Sequence, residues 1–198
     1  MKKLPSICTT LALIGMVAFM PTAGSLYGQN QHAFDSLEIG LQYVTNTNRN
    51  VFHEFWEPGN GVAGWLGVPF YYGDVRAGIQ LLPYAGKGKG ISDFQSSFIY
   101  LGWGIRWALP YRFDWFNGLS VGSTIMTFDS AEGYTRNESE LGVTLTSSLR
   151  YFVKPRWAFR LSSDYHTIFT NKPIKLTFIS VGLSYTLATP GWMKTFLK

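Results

Sequence analysis

The residues best placed for catalysis are His166 and Asp164, which lie two positions apart. In an extended strand alternate residues share a face, so a carboxylate there could orient the imidazole as a general base. Hydrolysis by such a pair also needs a nucleophile within reach of the histidine. The next position on that face is Ile168, and the segment Leu176–Leu187 contains no Asp or Glu. The sequence therefore predicts that His166 is a hydrogen-bonded structural residue.

Metal, cofactor and phosphate sites have little support in the sequence. No paired ligand spacing connects His32, His53 and His166 with one another or with carboxylates. The single cysteine, Cys8, lies close to the N-terminus. The run Gly86-Lys-Gly-Lys-Gly90 lacks the lysine–serine ending and the following helix of a phosphate-binding loop. We therefore expect no catalytic residue, no cofactor and no metal.

The elements that position these side chains are eight segments in which every second residue is apolar. This period of two is the signature of strands with one apolar and one polar face. The predicted strands are Ser36–Val44, Gly61–Phe70, Val75–Tyr84, Ser97–Trp107, Gly118–Phe128, Glu140–Tyr151, Trp157–Phe169 and Ile179–Leu187. The second is the least regular, because Trp65 falls opposite its apolar face. The pattern predicts an all-β, eight-stranded antiparallel up-and-down transmembrane β-barrel over residues 35–188.

Long polar connections alternate with short aromatic turns between these strands. The long ones are Asn46–Asn60, Ala85–Asp93, Asp129–Glu138 and Thr170–Lys175, and the short ones are Tyr71–Asp74, Pro110–Asp114 and Phe152–Arg156. In a barrel inserted from the periplasm, long loops face the outside and short turns face the periplasm. The rings expected to form the inner aromatic girdle are Tyr72, Tyr111, Phe113, Trp115, Phe116, Phe152 and Trp157.

A soluble barrel of the lipocalin type is the main alternative, because its strands show the same alternation. Three features favour a membrane barrel: arginines and glycines on the polar faces, rings at strand ends, and loops of unequal length on the two sides. After the N-terminal region, no apolar run approaches the roughly 20 residues of a spanning helix. The formal net charge of +5 is scattered and accompanies no nucleic-acid-binding motif, so we expect no nucleic-acid partner.

The first 28 residues have the parts of a secretory signal peptide. A basic start precedes an apolar centre over Ile7–Met20 and a small-residue exit. Cleavage after Ser25 or after Gly28 fits this pattern, and the sequence does not decide between them. Cys8 would leave with the peptide, so the mature chain would contain no disulfide. The apolar centre is too short for a retained spanning anchor.

Seven charged or titratable residues form a predicted lumen cluster: Glu38, Arg76, Arg106, Arg150, Arg160, Asp164 and His166. The arginines lie near the short turns, where Glu38 is the only acid that we expect. Asp164 and His166 lie toward the outer end. Unpaired buried charges are costly, so we predict a paired but positively biased plug. The interior of an eight-stranded barrel is just wide enough for side chains, which disfavours a conducting pore.

The last strand provides a family resemblance. Its pattern Ser180-x-Gly182-x-x-Tyr185-x-Leu187 resembles the signal by which the barrel-assembly machinery recognises outer-membrane barrels. In strand count and loop asymmetry the chain resembles the OmpA/OmpX-type small barrels of Gram-negative bacteria. This resemblance implies an outer-membrane location, contact with outer-membrane lipid and lipopolysaccharide, and a monomer. The chain departs from the usual pattern by continuing past the strand, and we predict a short periplasmic tail at 189–198.

Three functions remain open at this point. The leading hypothesis is a non-enzymatic barrel with a structural, envelope-integrity or surface-interaction role carried by its extracellular loops. The second is a hydrolase that modifies lipid A, similar to a deacylase family with a His-x-Ser-Asn motif. Here Ile168 occupies the nucleophile position of that motif. The third is a narrow channel or small-ligand carrier.

Overall fold

A computed structural model describes residues 34–129 and 136–189. The predicted signal peptide, His32 and nearly all of the predicted tail lie outside the described residues. The strands are β1 (Ser36–Asn46), β2 (Trp56–Pro58), β3 (Gly61–Phe70), β4 (Gly73–Gly86), β5 (Phe94–Leu109), β6 (Phe113–Phe128), β7 (Arg136–Lys154), β8 (Trp157–Phe169) and β9 (Ile174–Ala188), and a short helix, α1 (Phe52–Phe55), precedes β2.

Eight of these strands close into an antiparallel ring. Each of β3 to β8 pairs with the next strand in sequence, and β1 pairs with both β3 and β9. The prediction of an eight-stranded up-and-down barrel is therefore confirmed. β2 lies outside the ring and pairs with the outer end of β4. The predicted loop Asn46–Asn60 thus contains a helical turn and a strand, both too short to give a periodic signal.

Several strands extend beyond their predicted ends. β6 and β7 remain paired from Phe113↔Tyr151 to Phe128↔Arg136, because the hydrogen-bonded ladder continues where the apolar alternation stops. The turn between β5 and β6 is correspondingly tight. Tyr111 and Arg112 have φ angles of 61° and 66°, the left-handed region needed at both centres of a type I′ hairpin turn.

The apolar faces point away from the barrel axis. Leu41, Leu101 and Leu145 are 66%, 62% and 54% exposed, while polar side chains on the opposite face are buried. A soluble barrel would bury its apolar face, so this arrangement fits a barrel surrounded by lipid. Trp65 is buried inside, and a Cβ at Gly40 would overlap its indole. This explains its departure from the apolar face. Within the described ranges, no helix is long and apolar enough to span a membrane.

Candidate functional site

The periplasmic level of the lumen is an ion-pair network. Arg150 donates from Nε to Asp114 Oδ1 over 2.6 Å and also contacts Asp114 Oδ2 and Glu38 Oε1. Arg106 Nη2 lies 2.9 Å from Glu38 Oε2 and forms an ion pair with Asp74. Glu38 therefore joins two arginines from different strands. All five side chains lie inside the barrel, where such pairing offsets desolvation.

The expectation that Glu38 is the only acid at this level is wrong. Asp74 and Asp114 were assigned to turns, but β4 and β6 begin before them and direct both carboxylates inward. The register could have indicated this, since Asp114 lies opposite Arg150. Four described lumen acids (Glu38, Asp74, Asp114 and Asp164) face the four arginines, so the predicted positive bias is also wrong.

The middle level contains two arginines packed on rings. Arg76 Cζ lies 3.3 Å from the Phe116 ring centroid and 4.7 Å from that of Trp65, and Arg160 Cζ lies 4.6 Å from the Trp65 centroid. Phe116 was predicted to belong to the aromatic girdle, and this is wrong, because it is only 3% exposed. It has the same parity as Asp114 in β6 and therefore faces the lumen.

A small polar cavity of about 30 Å³ lies between these groups. Arg76, Arg160, Gln42 and Asp164 contribute to its walls. Arg76 Nε and Nη2, Arg160 Nη1 and Gln42 Oε1 have no hydrogen-bond partner among the described residues. A buried water needs about 10–15 Å³ measured in this way, so the space suits about two waters. Pockets for organic ligands are about ten times larger.

Asp164 and His166 make separate contacts above this cavity. Asp164 Oδ1 accepts a 2.6 Å hydrogen bond from Thr146. His166 Nδ1 lies 2.7 Å from Thr144 Oγ1, and the imidazole packs edge-on against Phe98 with centroids 4.6 Å apart. No hydrogen bond joins Asp164 to His166 in the described part of the chain. The carboxylate is therefore not placed to orient the imidazole, and the histidine is held by a hydroxyl and rings.

An apolar cluster fills the outer mouth. Its buried members are Val44, Ala63, Leu82, Tyr84, Phe94, Met126, Ile168, Leu176 and Phe178. Phe52 of α1 packs on this cluster, with its ring centroid 5.5 Å from Tyr84 and 5.3 Å from Trp56. The first outer loop thus covers the mouth with an aromatic side chain. The sequence predicted this segment only as a long outer loop, because the contacts of Phe52 with the barrel are long-range.

Alternate asparagines fasten this loop to the outer end of β9. Asn48 and Asn50 donate to the Lys175 carbonyl, and Asn48 Oδ1 accepts from the Thr177 amide over 2.7 Å. Just beyond β1 the Thr47 amide still donates to the Thr177 carbonyl, and the asparagine side chains take over as partners of β9 from there. The spacing Asn46-x-Asn48-x-Asn50 is the signal that could have predicted this arrangement.

His53 holds the same loop from the inside. Its Nδ1 accepts from the Asn50 amide over 3.1 Å, and its Nε2 lies 2.9 Å from Asn46 Oδ1. Burial lowers the pKa of the His53 imidazole, and nearby Arg49 adds to the effect. On the exposed side of the loop, hydrogen bonds from Arg49 and Lys87 lower the pKa of Glu57 to about 2.

The predicted assembly-signal residues lie in β9, where the barrel closes on β1. Ser180 is buried in the lumen. Gly182 lies opposite Gln42, and a Cβ at position 182 would be too close to the Gln42 backbone. Tyr185 faces outward and packs on Trp157, and Leu187 faces Leu37 across the closing seam. The geometry gives each residue a place in the seam, and recognition by an assembly machinery stays a prediction.

Most of the predicted girdle does occupy the periplasmic ends of the strands. Three pairs of outward rings lie there: Trp107–Trp115, Phe113–Tyr151 and Trp157–Tyr185, with centroids 5.4, 4.9 and 4.8 Å apart. Tyr72 and Tyr111 are highly exposed at the turns, and Phe152 is half-buried near Arg150. Amphipathic rings at this level match the headgroup region of a bilayer.

Neither a protein-family model nor a curated protein matches this sequence. Several solved structures do match in fold. The Neisserial surface protein A superposes with a TM-score of 0.53 at 10% identity over 80% of this chain and 99% of its own. The N-terminal β-barrel domain of OprF from Pseudomonas aeruginosa gives 0.54 at 12% identity over 79% and 100%. The attachment invasion locus protein of Yersinia pestis, in complex with the heparin analogue sucrose octasulfate, gives 0.52 at 12% identity over 79% and 100%.

These structures are small barrels of the outer-membrane type, and the fold of the chain is the same. The resemblance predicted from the last strand and the loop asymmetry is therefore confirmed at the level of fold. The apolar outer surface and the aromatic pairs support the same outer-membrane location as the fold does.

Proposed function

We propose that this chain is a non-enzymatic outer-membrane barrel that serves as a rigid support for its extracellular loops. The observation that carries the proposal is the filled lumen. Ion pairs occupy the periplasmic level, arginine–ring stacks occupy the middle, and an apolar cluster covered by Phe52 occupies the outer mouth. A molecule with this interior interacts with its surroundings through its surface.

The alternative of a lipid A hydrolase has weaker support. Lipid substrates approach from the outer wall, whereas His166 lies inside with only 4% of its surface exposed. The hydroxyl nearest to its Nδ1 belongs to Thr144, which is also buried in the lumen. A base and a nucleophile hidden together in this way cannot reach an acyl chain in the membrane.

The alternative of a channel or small-ligand carrier conflicts with the packing. The cavity beside Arg76 and Arg160 has room for water but not for an organic ligand. An ion crossing the barrel would also have to displace Glu38 and Arg150, which are joined by an ion pair inside it.

Three partner classes belong to this proposal. The outward leucines would contact membrane lipid. The exposed Lys89 and Lys172 of the outer loops, with Lys175 at the outer end of β9, could contact lipopolysaccharide phosphates. The β9 pattern would be read by the barrel-assembly machinery. The heparin analogue bound to the Yersinia pestis barrel supports trying an anionic saccharide as a loop ligand. We expect the barrel to be monomeric.

Two measurements on the folded chain test the proposal. In planar bilayers the reconstituted protein should give no conductance steps, and lipid A from cells with and without the protein should have the same mass spectrum. Regular conductance steps, or loss of an acyl chain that depends on His166, would overturn it. Heat-dependent gel migration, which distinguishes folded from unfolded barrels, provides the control for folding in both cases.

A further inference from the structure

Two neighbouring periplasmic turns carry a group of three cations, which we call the basic turn cluster: Arg112, Lys154 and Arg156. The turns are joined by a 3.0 Å hydrogen bond from the Phe152 amide to the Arg112 carbonyl. All three side chains are exposed. The cluster therefore lies on one sector of the barrel, below β5 to β8.

The cations of this cluster form no ion pair with an acid among the residues that the structure describes. The two acids closest to these turns in sequence and register, Asp74 and Asp114, point into the lumen and pair with Arg106 and Arg150. The folding of the barrel thus directs these two acids into the lumen and leaves the three cations on the periplasmic surface.

The position of the cluster relative to the membrane follows from the rings above it. The pairs Trp107–Trp115, Phe113–Tyr151 and Trp157–Tyr185 lie on the outer wall of the same sector. Rings of this kind settle at the headgroup level, so cations at the turns just beyond them lie at the depth of the lipid phosphates. The opposite turn has exposed Tyr71 and Tyr72 but no cation.

The backbone at Arg112 has a conformation that glycine would adopt without strain. Tyr111 and Arg112 have positive φ angles of 61° and 66°, where Asn and Gly are the usual residues of such a turn. Tyr71 of the opposite turn also has a positive φ, of 49°, so this strain occurs in both turns and does not by itself mark a cation site. Arginine at position 112 supplies a cation that glycine could not.

We propose that the basic turn cluster binds the headgroup of an anionic phospholipid in the periplasmic leaflet. Net negative charge on the lipid is the feature that the cluster would select, because a zwitterionic headgroup cancels the charge of its own phosphate. The inference rests on the proposed membrane placement and adds a lipid class and a position. It assigns a lipid-selective sector to the periplasmic side, separate from the outer loops.

The test uses the full mature chain, folded in vesicles of equal parts phosphatidylcholine and phosphatidylglycerol, with retained lipids identified by native mass spectrometry. The wild-type protein should retain phosphatidylglycerol in several-fold excess. The triple variant R112Q/K154Q/R156Q should lose this preference, while K89Q/K172Q/K175Q, which removes equal charge from the outer side of the barrel, should keep it. Equal retention of the two lipids by the folded wild type would overturn the inference.

A second variant separates lipid binding from turn structure. Arg112→Gly should stabilise the turn, since glycine adopts positive φ without strain, and should still reduce retention of phosphatidylglycerol. Unchanged retention in this variant would mean that the cluster does not bind through Arg112. If R112Q/K154Q/R156Q kept the lipid preference and instead lost binding to peptidoglycan, the partner of the cluster would be peptidoglycan and not a phospholipid. Failure of the wild type to show heat-dependent migration would count against the membrane barrel itself.

Discussion

Arg150 and Asp114 form a two-pronged ion pair across neighbouring strands, with Arg150 Nε 2.6 Å from Asp114 Oδ1. Arg150 is 1% exposed, and its third contact is Glu38 on the far side of the lumen. Charged groups with this degree of burial are stable only while every partner is present. Through Arg150, Glu38 of β1 is therefore linked across the lumen to Asp114 of β6 and to β7 itself.

Removing the carboxylate of Asp114 should strongly destabilise the barrel. We expect Asp114→Ala to lower the free energy of unfolding by about 3–5 kcal/mol, because Arg150 would be left buried with half its partners. Urea unfolding in lipid vesicles, followed by tryptophan fluorescence, measures the change. Glu138→Ala is the matched control, since its partner Arg136 is on the surface, and the loss there should be below about 1 kcal/mol. Equal losses of unfolding free energy in the two variants would show that the buried pair stabilises the barrel no more than a surface pair does.

The outward face of β7 should not tolerate charge. Val143 and Leu145 face away from the lumen, and Val143→Arg should lower the free energy of unfolding by about 2–4 kcal/mol if it lies near the bilayer midplane. Val51→Arg in the outer loop is the control, because Val51 is exposed outside the barrel and should tolerate arginine within about 0.5 kcal/mol. A neutral Val143→Arg, together with ready labelling of Val143→Cys by a water-soluble reagent, would place this face in water.

The strand faces could be predicted from the sequence because a one-residue change of register would exchange lipid and lumen along a whole strand. The lumen partners were harder to predict. Asp74 and Asp114 followed turn residues, and the length of the hydrogen-bonded ladder, which no local pattern encodes, decided that they belong to strands. Phe116 was grouped with turn aromatics although its parity placed it inside. Proximity to a turn is a weaker guide than parity within a strand.

The cover of the outer mouth could not be predicted for a related reason. Phe52 lies in a helical turn of four residues, and its contacts with Tyr84 and Phe94 join distant parts of the chain. A single sequence contains no periodic signal for such contacts. The alternate asparagines at 46, 48 and 50 were visible, but their partners on β9 depend on barrel closure.

Assembly should depend on Gly182 in the closing strand. A Cβ at this position would collide with the backbone of Leu41 and Gln42, so Gly182→Val, combined with Tyr185→Ala, should reduce the folded yield in the outer membrane. Export across the inner membrane should be unaffected, which the amount of processed chain reports. Leu183→Ile, a conservative outward change in the same strand, is the control. A normal folded yield in the double variant would remove the argument for an assembly signal in β9.

The first outer loop should loosen as the pH falls. The pKa of His53 is below its ordinary value in the folded chain, so the unfolded loop takes up a proton first. The stabilisation of the folded loop by neutral His53 is complete above the ordinary histidine pKa of about 6.5. It is lost as the pH falls through the lower pKa that His53 has in the folded chain. Protonated Nδ1 could no longer accept from the Asn50 amide and would keep only the Asn50 side-chain oxygen, 2.9 Å away, as a partner.

Hydrogen exchange of the loop amides between pH 7 and pH 5, corrected for intrinsic rates, measures this loosening. His53→Gln should make loop protection independent of pH in this window. Glu57 is not a competing cause, because its pKa of about 2 keeps it ionised across that range. An unchanged pH profile in His53→Gln would assign the effect to another group.

Removing the aromatic cover should weaken the outer loop without opening the barrel. Phe52 packs against Tyr84, Trp56 and Phe94, so Phe52→Ala should lower the free energy of unfolding by about 2 kcal/mol, roughly half the loss for a fully buried phenylalanine. Phe55→Ala is the control within the same helical turn, because Phe55 is 45% exposed. Bilayer recordings of Phe52→Ala should remain silent, since Glu38, Arg106 and Arg150 still close the lumen below it. Conductance in this variant alone would mean that the loop, and not the ion-pair network, is what closes the barrel.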